Sequence, residues 1–570
     1  MTRAERLGPD YRATALRRLE QEELDVLVIG GGVVGAGSAL DAATRGLRVG
    51  LVEARDYAAG TSSRSTKLFH GGLRYLEQFD FGLVFEALRE RRLVLETLCP
   101  HLARPVPFIY PLQKRIDRAY VGLGIGVYDV MGAGRGVPGH HRHLGRRSTA
   151  ASFPSGRRSA IRGAVRFYEG QVDDARHTMM LARTAATYGA LCVTSTRVTE
   201  FIRDSDRIAG VRVRDLESGR ESTVRARHVV NAAGIWTDEI QEMVGGRGQF
   251  QVRASKGVHL VVPRNRINSA TGVITRTEKS LLFIIPWGSH WIIGTTDTDW
   301  DLDLAHPAAS RTDIDYLLDH ANSLLQDPLT REDVVGVYAG LRPLLSGESE
   351  STSKLSREHA VASPVRGLTV IAGGKYTTYR VMAEDAVDSA VHDLERTVPP
   401  SVTDRTPIVG ADGYLAAYNA RRLTAARTGL SLSTVEHLLG RYGTLCAELF
   451  DLITERPELA APLESAPEYL KVEAHYAVSH EGALHLDDVL TRRTRISIEV
   501  PDRGEAAARE VADLVAPLLG WDAEHVDREV DHYRLRVRAE RESQEQIDDR
   551  TADAARLGAP DVRMGAASMA

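Results

Sequence analysis

The glycines Gly30, Gly32 and Gly35 have the GxGxxG spacing and directly follow the apolar run DVLVI at residues 25–29. In that setting each glycine has its own task. Gly30 permits a tight turn, Gly32 lets backbone approach a pyrophosphate, and Gly35 lets a helix pack closely on the strand. The free N–H groups at the start of that helix then face the phosphates. A second apolar run, LRVGLV at 47–52, ends at Glu53, where a carboxylate would bind an adenosine ribose. The pattern points to a dinucleotide but does not by itself separate FAD from NAD. The competing reading, a turn without a ligand, is disfavoured by the complete strand, turn, helix, strand and acid. The polar loop GTSSRSTK at 60–67 offers donors to a phosphate or a flavin, or is simply a solvated loop.

Other segments must position the remaining chemistry. VGVYAGLRP at 335–343 reads as a strand that delivers Arg342, and LTVIAGGK at 368–375 as a strand running into two glycines and Lys375. A helix follows, its N-terminus facing a cofactor as the first helix does. Asp173 or Asp174 is placed to cap the helical run HTMMLARTAATYGA. Residues 227–234 form a strand ending in small residues, with Trp236 beyond it, and residues 251–300 are rich in strands. Pro399 and Pro400 mark a linker, residues 411–540 are mainly helical, and the polar tail from 541 is expected to fray. The RRTR run at 492–495 is expected on a solvated helix face. His140, His141 and His143 lie in a basic run without companion cysteines or carboxylates, so a solvated loop is favoured over a metal site. That run also suits contact with anionic lipid.

Composition sets broad limits. The 570 residues imply two or three domains. With 43% hydrophobic and 26% charged residues, the chain is of ordinary globular type. Its formal charge of -5 gives no global attraction to nucleic acid. Its three cysteines, Cys99, Cys192 and Cys446, suggest neither a disulfide framework nor a metal cluster, and a reducing, cytoplasmic setting is expected. No apolar run reaches the ~18 residues that would span a bilayer, which leaves a surface-bound protein open.

With these segments in view, the chain resembles the FAD-dependent, quinone-linked glycerol-3-phosphate dehydrogenases over roughly residues 23–540. The resemblance rests on VIGGGVVGAG, GTSSRSTKLFHGGLRYLE, KGVHLVVPR, GTTDTDW, YAGLRPL and IAGGKYTTYR, with YAVSHEGALHLDDVLTRRTRI in the helical region. It implies an α/β and α+β architecture. A discontinuous Rossmann-like FAD-binding domain would occupy 23–95, 165–250 and 351–398. An antiparallel-sheet substrate domain would occupy 96–164 and 251–350, and a C-terminal helical domain 399–540. An N-terminal extension of 1–22 and a flexible tail of 541–570 would flank them. It also implies oxidation of sn-glycerol 3-phosphate to dihydroxyacetone phosphate, electron transfer to a membrane quinone, and attachment to the inner membrane face without spanning it. It allows a homodimer and implies no metal and no nucleic acid.

Carried over by motif, the resemblance implies that Gly30, Gly32, Gly35 and Glu53 bind the dinucleotide. Ser62, Ser63 and Lys67 would lie in the flavin-contacting loop, and Gly374, Lys375 and Thr377 in a second cofactor motif. Arg74, Tyr75, Arg357 and His70 would contact substrate, and His259 and Arg342 would line the pocket as catalytic groups. The chemistry agrees with these assignments. Arginine is a planar fork suited to phosphate oxygens, a histidine titrates near working pH and suits a general base, and Arg342 suits charge developing on the substrate oxygen. Lys375 would favour an anionic reduced flavin. Three rival readings remain: an oxidase that uses oxygen, an FAD-dependent amino-acid oxidase, and a non-enzymatic flavin redox sensor.

Overall fold

The computed structural model describes residues 3–72, 81–112, 141–159, 161–245, 250–278, 280–346, 359–394 and 396–563. Six strands carry the site: β1 (Leu24–Ile29), β2 (Val49–Val52), β3 (Glu221–Asn231), β4 (Val252–Pro263), β5 (Gly336–Leu345) and β6 (Leu368–Gly373). Six helices matter to it: α1 (Pro9–Gln21), α2 (Val33–Thr44), α3 (Asp174–Thr187), α4 (Tyr379–His392), α5 (Ala523–Ser543) and α6 (Asp549–Arg556).

The first sheet is parallel at its centre. β1 lies between β3 and β2, in the path His359–Val365, β6, β3, β1, β2, Leu191–Val193. Every residue of β1 is buried, which explains its continuous apolar run. Alternate side chains enter different cores. Val26 and Val28 join a cluster with α2, α3 and α4, whereas Leu27 and Ile29, together with Leu24 at the strand's start, join Ala15 and Leu19 of α1 and the antiparallel strands Thr196–Asp204 and Arg207–Asp215. The first twenty or so residues are thus partly structural, because α1 closes one face of this sheet.

The second sheet has 10 strands and is largely antiparallel, with β4 pairing to β5 and to His290–Gly294. One pair, Gly272–Arg276 with Ala103–Leu112, is parallel, so the sheet is mixed. Residues 165–172, expected in the cofactor domain, belong here instead. Strand Gly163–Val172 pairs with Ala103–Leu112 from end to end, and that ladder fixes its sheet. Asp173 then caps α3, its side chain accepting from the Arg176 N–H at 3.2 Å.

The third region is helical, with its own core around Leu486, Val511 and Val530. Two expectations fail there. Residues 492–495 are not a solvated face: Arg492, Arg493 and Arg495 are buried at 4%, 1% and 2% exposure. Arg492 and Arg493 both reach Asp56, and Arg495 reaches Asp173 and Asp174, carboxylates supplied by the first domain. The segment beyond 541 is also ordered within the described residues. Asp548 caps α6 by accepting from the Thr551 N–H, Ala552 and Arg556 are buried, and Arg563 is 4% exposed.

Candidate functional site

The glycine turn is built as its spacing requires. Gly30 has φ +108°, and a Cβ there would sit 2.7 Å from the Ala232 carbonyl oxygen. A Cβ on Gly35 would lie 1.9 Å from the Gly30 carbonyl oxygen, so only glycine lets α2 seat on β1. The Val33 N–H donates to the Ser62 hydroxyl at 2.9 Å, which ties the polar loop to the start of α2. The Glu53 carboxylate accepts from the Gly31 and Arg55 N–H groups at 2.6 and 2.7 Å. Burial pushes the Glu53 carboxyl up, and those two donors oppose the shift.

From this turn a cavity of about 740 Å³ runs toward the second sheet. Gly30, Gly32, Glu53, Ser62 and His70 line it, as do His259, Arg342, Gly374, Lys375 and Thr377. The structure therefore gathers residues from widely separated motifs around one space. Gly35, Ser63 and Lys67 lie outside that lining. Gly35 acts through packing, as above. Lys67 turns its side chain toward α3. Its backbone is left-handed at φ +57°, and its buried ammonium donates to Asp174 at 2.7 Å and to the Ser63 carbonyl at 3.1 Å. The Asp174 carboxylate fixes it behind the cavity wall, over the Tyr338 ring at 4.9 Å. Arg74, Tyr75 and Arg357 lie outside the described residues.

The polar end is set by the β4–β5 ladder. Ser255 faces Arg342 and His259 faces Tyr338 across it. Residues four apart on a strand share a face, so His259 and Arg342 project from the same side. Two glycines make room: a Cβ on Gly294 would lie 2.2 Å from His259 Cδ2, and one on Gly257 would lie 2.4 Å from Arg342 Nη2. His259 stacks on Tyr338 at 4.7 Å, and its Nε2 is 3.1 Å from the Thr66 hydroxyl. Burial, with help from the Arg342 and Lys67 cations, holds the His259 pKa well below its usual value and not near working pH as expected, so the ring is neutral and its basicity is reduced. Arg342 donates to the Thr295 hydroxyl and the Thr296 carbonyl, both at 3.1 Å, and pairs with Asp297 at 3.3 Å.

At the end of β6, Gly373 and Gly374 take φ of +77° and +72°, turning the chain so that residues 374–377 reach the cavity. The Thr377 hydroxyl donates to the His70 carbonyl at 3.2 Å and so joins the two halves of the wall.

Several wall residues were not singled out from sequence. Arg64 lines the cavity and donates to the Ala305 carbonyl at 3.3 Å. Burial and the neighbouring Arg55 guanidinium hold its pKa well below the usual arginine value. Its place in the GTSSRSTK loop was an available signal. Asp561 and Arg563, from the supposed tail, also line the cavity, and no local pattern announced them.

Known proteins bear on this arrangement. The family model for an FAD dependent oxidoreductase matches residues 25–380, and that for the C-terminal domain of alpha-glycerophosphate oxidase matches residues 401–526. The glycerol-3-phosphate dehydrogenase of Mycobacterium leprae is 59% identical over 561 residues, covering 98% of this chain and 96% of that protein. The human mitochondrial glycerol-3-phosphate dehydrogenase is 34% identical over 536 residues, covering 90% of this chain and 73% of that one. The crystal structure of the glycerol-3-phosphate dehydrogenase from Bacillus halodurans, complexed with FAD, superposes with a TM-score of 0.77 at 30% identity, covering 93% of this chain and 98% of the other. The L-alpha-glycerophosphate oxidase of Mycoplasma pneumoniae, at 18% identity and a TM-score of 0.54, shares the fold over 68% of this chain and 99% of its own. The chain belongs to the FAD-dependent glycerol-3-phosphate dehydrogenase family.

Proposed function

We propose that this protein oxidises sn-glycerol 3-phosphate to dihydroxyacetone phosphate with FAD and passes the electrons to a membrane quinone. The observation that carries the reading is the single cavity joining the glycine turn to the His259 and Arg342 end. Its residues fit FAD. Glu53 suits the adenosine ribose, the Gly32 turn suits the pyrophosphate, and Arg64, a half-buried cation among other arginines, suits an anionic partner. Gly374, Lys375 and Thr377 would hold the flavin end. Bound FAD supplies a hydride acceptor.

Oxidation at C2 removes a hydride from carbon and a proton from its hydroxyl, leaving a ketone. The neutral His259 imidazole is the form that can take that proton. The Arg342 guanidinium, fixed by its contacts to Thr295, Thr296 and Asp297, is a pre-organised positive charge for the oxygen as the proton leaves. Arg74, Tyr75, Arg357 and His70 complete the proposed substrate site, with the arginines on the phosphate.

Attachment at the inner membrane face is part of the proposal. Among the described residues no helix is long and apolar enough to cross a membrane. Arg142, Arg146, Arg147, Arg157, Arg158 and Arg162 are exposed, with no acidic residue between the first and the last. Such a surface attracts anionic headgroups. The names of the 59%-identical relatives, dehydrogenases, support an acceptor other than oxygen.

The test is anaerobic addition of sn-glycerol 3-phosphate while the flavin absorbance is followed. Rapid bleaching, absent with glycerol or with the opposite enantiomer, is expected. Reoxidation by a quinone analogue should outpace reoxidation by air. A flavin that stays oxidised would reject the substrate, and faster recovery in air would make the protein an oxidase.

A further inference from the structure

Beyond α5 the chain does not leave the molecule. It crosses all three regions in turn. The Arg311 N–H donates to the Gln546 carbonyl at 2.7 Å, and Lys256 of β4 pairs with Asp549 at the start of α6, both in the second domain. Past α6, Asp561 pairs with Arg55 of the loop after β2 at 2.8 Å. Arg563 pairs with Asp488 of the helical region at 2.8 Å and donates to the Ser195 hydroxyl at 3.0 Å. All of this lies past residue 526, where the match to the C-terminal family model ends.

The strap contributes to the cavity wall. Leu557, Pro560, Asp561 and Arg563 share that wall with Glu53 and Arg55. The pair of Asp561 with Arg55, two residues beyond Glu53, sets them at the adenosine end, away from His259 and Arg342 on the second sheet. Two large apolar side chains remain open at this wall: Leu557 is 51% exposed and Met243, from the first domain, is 42% exposed. Exposed apolar groups lining a cavity are the sort of surface an aromatic base covers.

We propose that residues 557–563 are a latch over the adenosine end of the FAD site, and that the latch sets how slowly the cofactor leaves. The inference rests on the FAD reading of the cavity. The latch is fastened by the Arg55–Asp561 and Arg563–Asp488 pairs, with no covalent tie. It opens by breaking both pairs and the hydrogen bonds of Arg563 to Ser195 and of His532 to the Pro560 carbonyl, which is a local rather than a global unfolding. Its partner on the inner side is the adenine and ribose. FAD seated beneath it is held by more than the glycine turn and Glu53.

The experiment measures FAD release from the purified holoenzyme, read as the activity gained by an excess of an FAD-requiring reporter apoenzyme that captures each released cofactor. A chain ending at Arg556 should release FAD at least about tenfold faster than wild type, the equivalent of about 1.4 kcal/mol. Asp561→Asn keeps the side-chain shape and should also speed release, by a smaller factor, even if the shortened chain fails to fold. Saturating FAD should restore the Asp561→Asn thermal midpoint to the wild-type value. Release from Asp561→Asn at the wild-type rate, or a lowered midpoint that saturating FAD leaves unchanged, overturns the latch and makes the segment a structural brace. A wild-type chain that binds no FAD overturns the cofactor reading and the latch together.

Discussion

Glu53 and Asp56 stand on one loop after β2, yet they anchor two regions held by opposite means. Glu53 receives backbone N–H groups from Gly31 and Arg55, and the glycine turn beside it is otherwise shaped by the absence of side chains. Asp56 receives guanidinium groups from the helical region: Arg493 bidentately at 2.7 Å on each oxygen, and Arg492 at 2.6 Å. The first anchor needs no buried cation, because both of its donors are neutral backbone groups, one 22 residues away and one two residues away. The second joins charges that are expensive to bury, and its stability depends on every partner being present. One loop therefore couples a local, backbone-made cofactor turn to a long-range ionic interface.

The largest test removes the ionic anchor. Asp56→Ala strands two buried guanidinium groups and should destabilise the protein by about 3–5 kcal/mol in denaturant unfolding. A loss below about 1 kcal/mol would mean that Asp487, Asp488 or water compensates and that the two anchors are less different than drawn. Replacing Asp56 and Arg493 together by apolar residues should recover part of that loss.

The ionic side should also answer to pH in the alkaline range, where a carboxylate such as Glu53 no longer titrates. His485 lies between Glu217 and Glu529 at 3.0 and 2.8 Å. Burial alone would lower its pKa, but the two carboxylates outweigh it and raise the value to about 10. A raised folded-state pKa stabilises fully below the unfolded value near 6.5 and is lost as pH rises through about 10. The wild-type thermal midpoint should therefore fall between pH 7 and pH 10 by more than that of His485→Gln. The difference should correspond to about 1.5–3 kcal/mol, the worth of charged hydrogen bonds. Parallel pH curves for the two proteins would remove His485 from this role.

Gly35→Ala tests the backbone side. Its Cβ would collide with the Gly30 carbonyl, so α2 has to shift, at a cost of about 1–3 kcal/mol and with weaker FAD binding in titration of the flavin-stripped protein. Unchanged FAD affinity would show that the turn tolerates displacement. The smallest effect belongs to an exposed pair on α1. Arg18 and Glu22 meet at 2.7 Å but are 48% and 37% exposed, so Arg18→Ala should cost only about 0.2–0.5 kcal/mol in denaturant unfolding. A larger cost would mean that surface pairing matters more here than burial.

The same division explains what the sequence disclosed. Gly30, Gly32, Glu53 and the strands around them are set by neighbours in the chain, so spacing alone announced the turn. His259, Arg342 and the Gly374–Lys375 turn each sit on a recognisable strand, and the motif resemblance singled them out before the β4–β5 ladder put the first two on one face. Lys67 could not be oriented from its loop, because the carboxylate that claims it belongs to α3. Residues 492–495 read as a solvated face because arginines usually are exposed, and the acids that bury them are supplied by other domains. The tail read as frayed for the same reason: Arg563 is fixed by Asp488 and Ser195, which nothing near it in sequence reveals.

The proposed function places oxidation of the alcohol at the His259 and Arg342 end of the cavity. Its most direct test is single-turnover flavin reduction by sn-glycerol 3-phosphate in a stopped-flow instrument, comparing wild type with His259→Asn at saturating substrate. The variant's reduction rate should be lower by about 10²–10⁴-fold, with little change in the substrate dissociation constant. Reduction at the wild-type rate would take the proton-accepting role from His259 and contradict this account of the site.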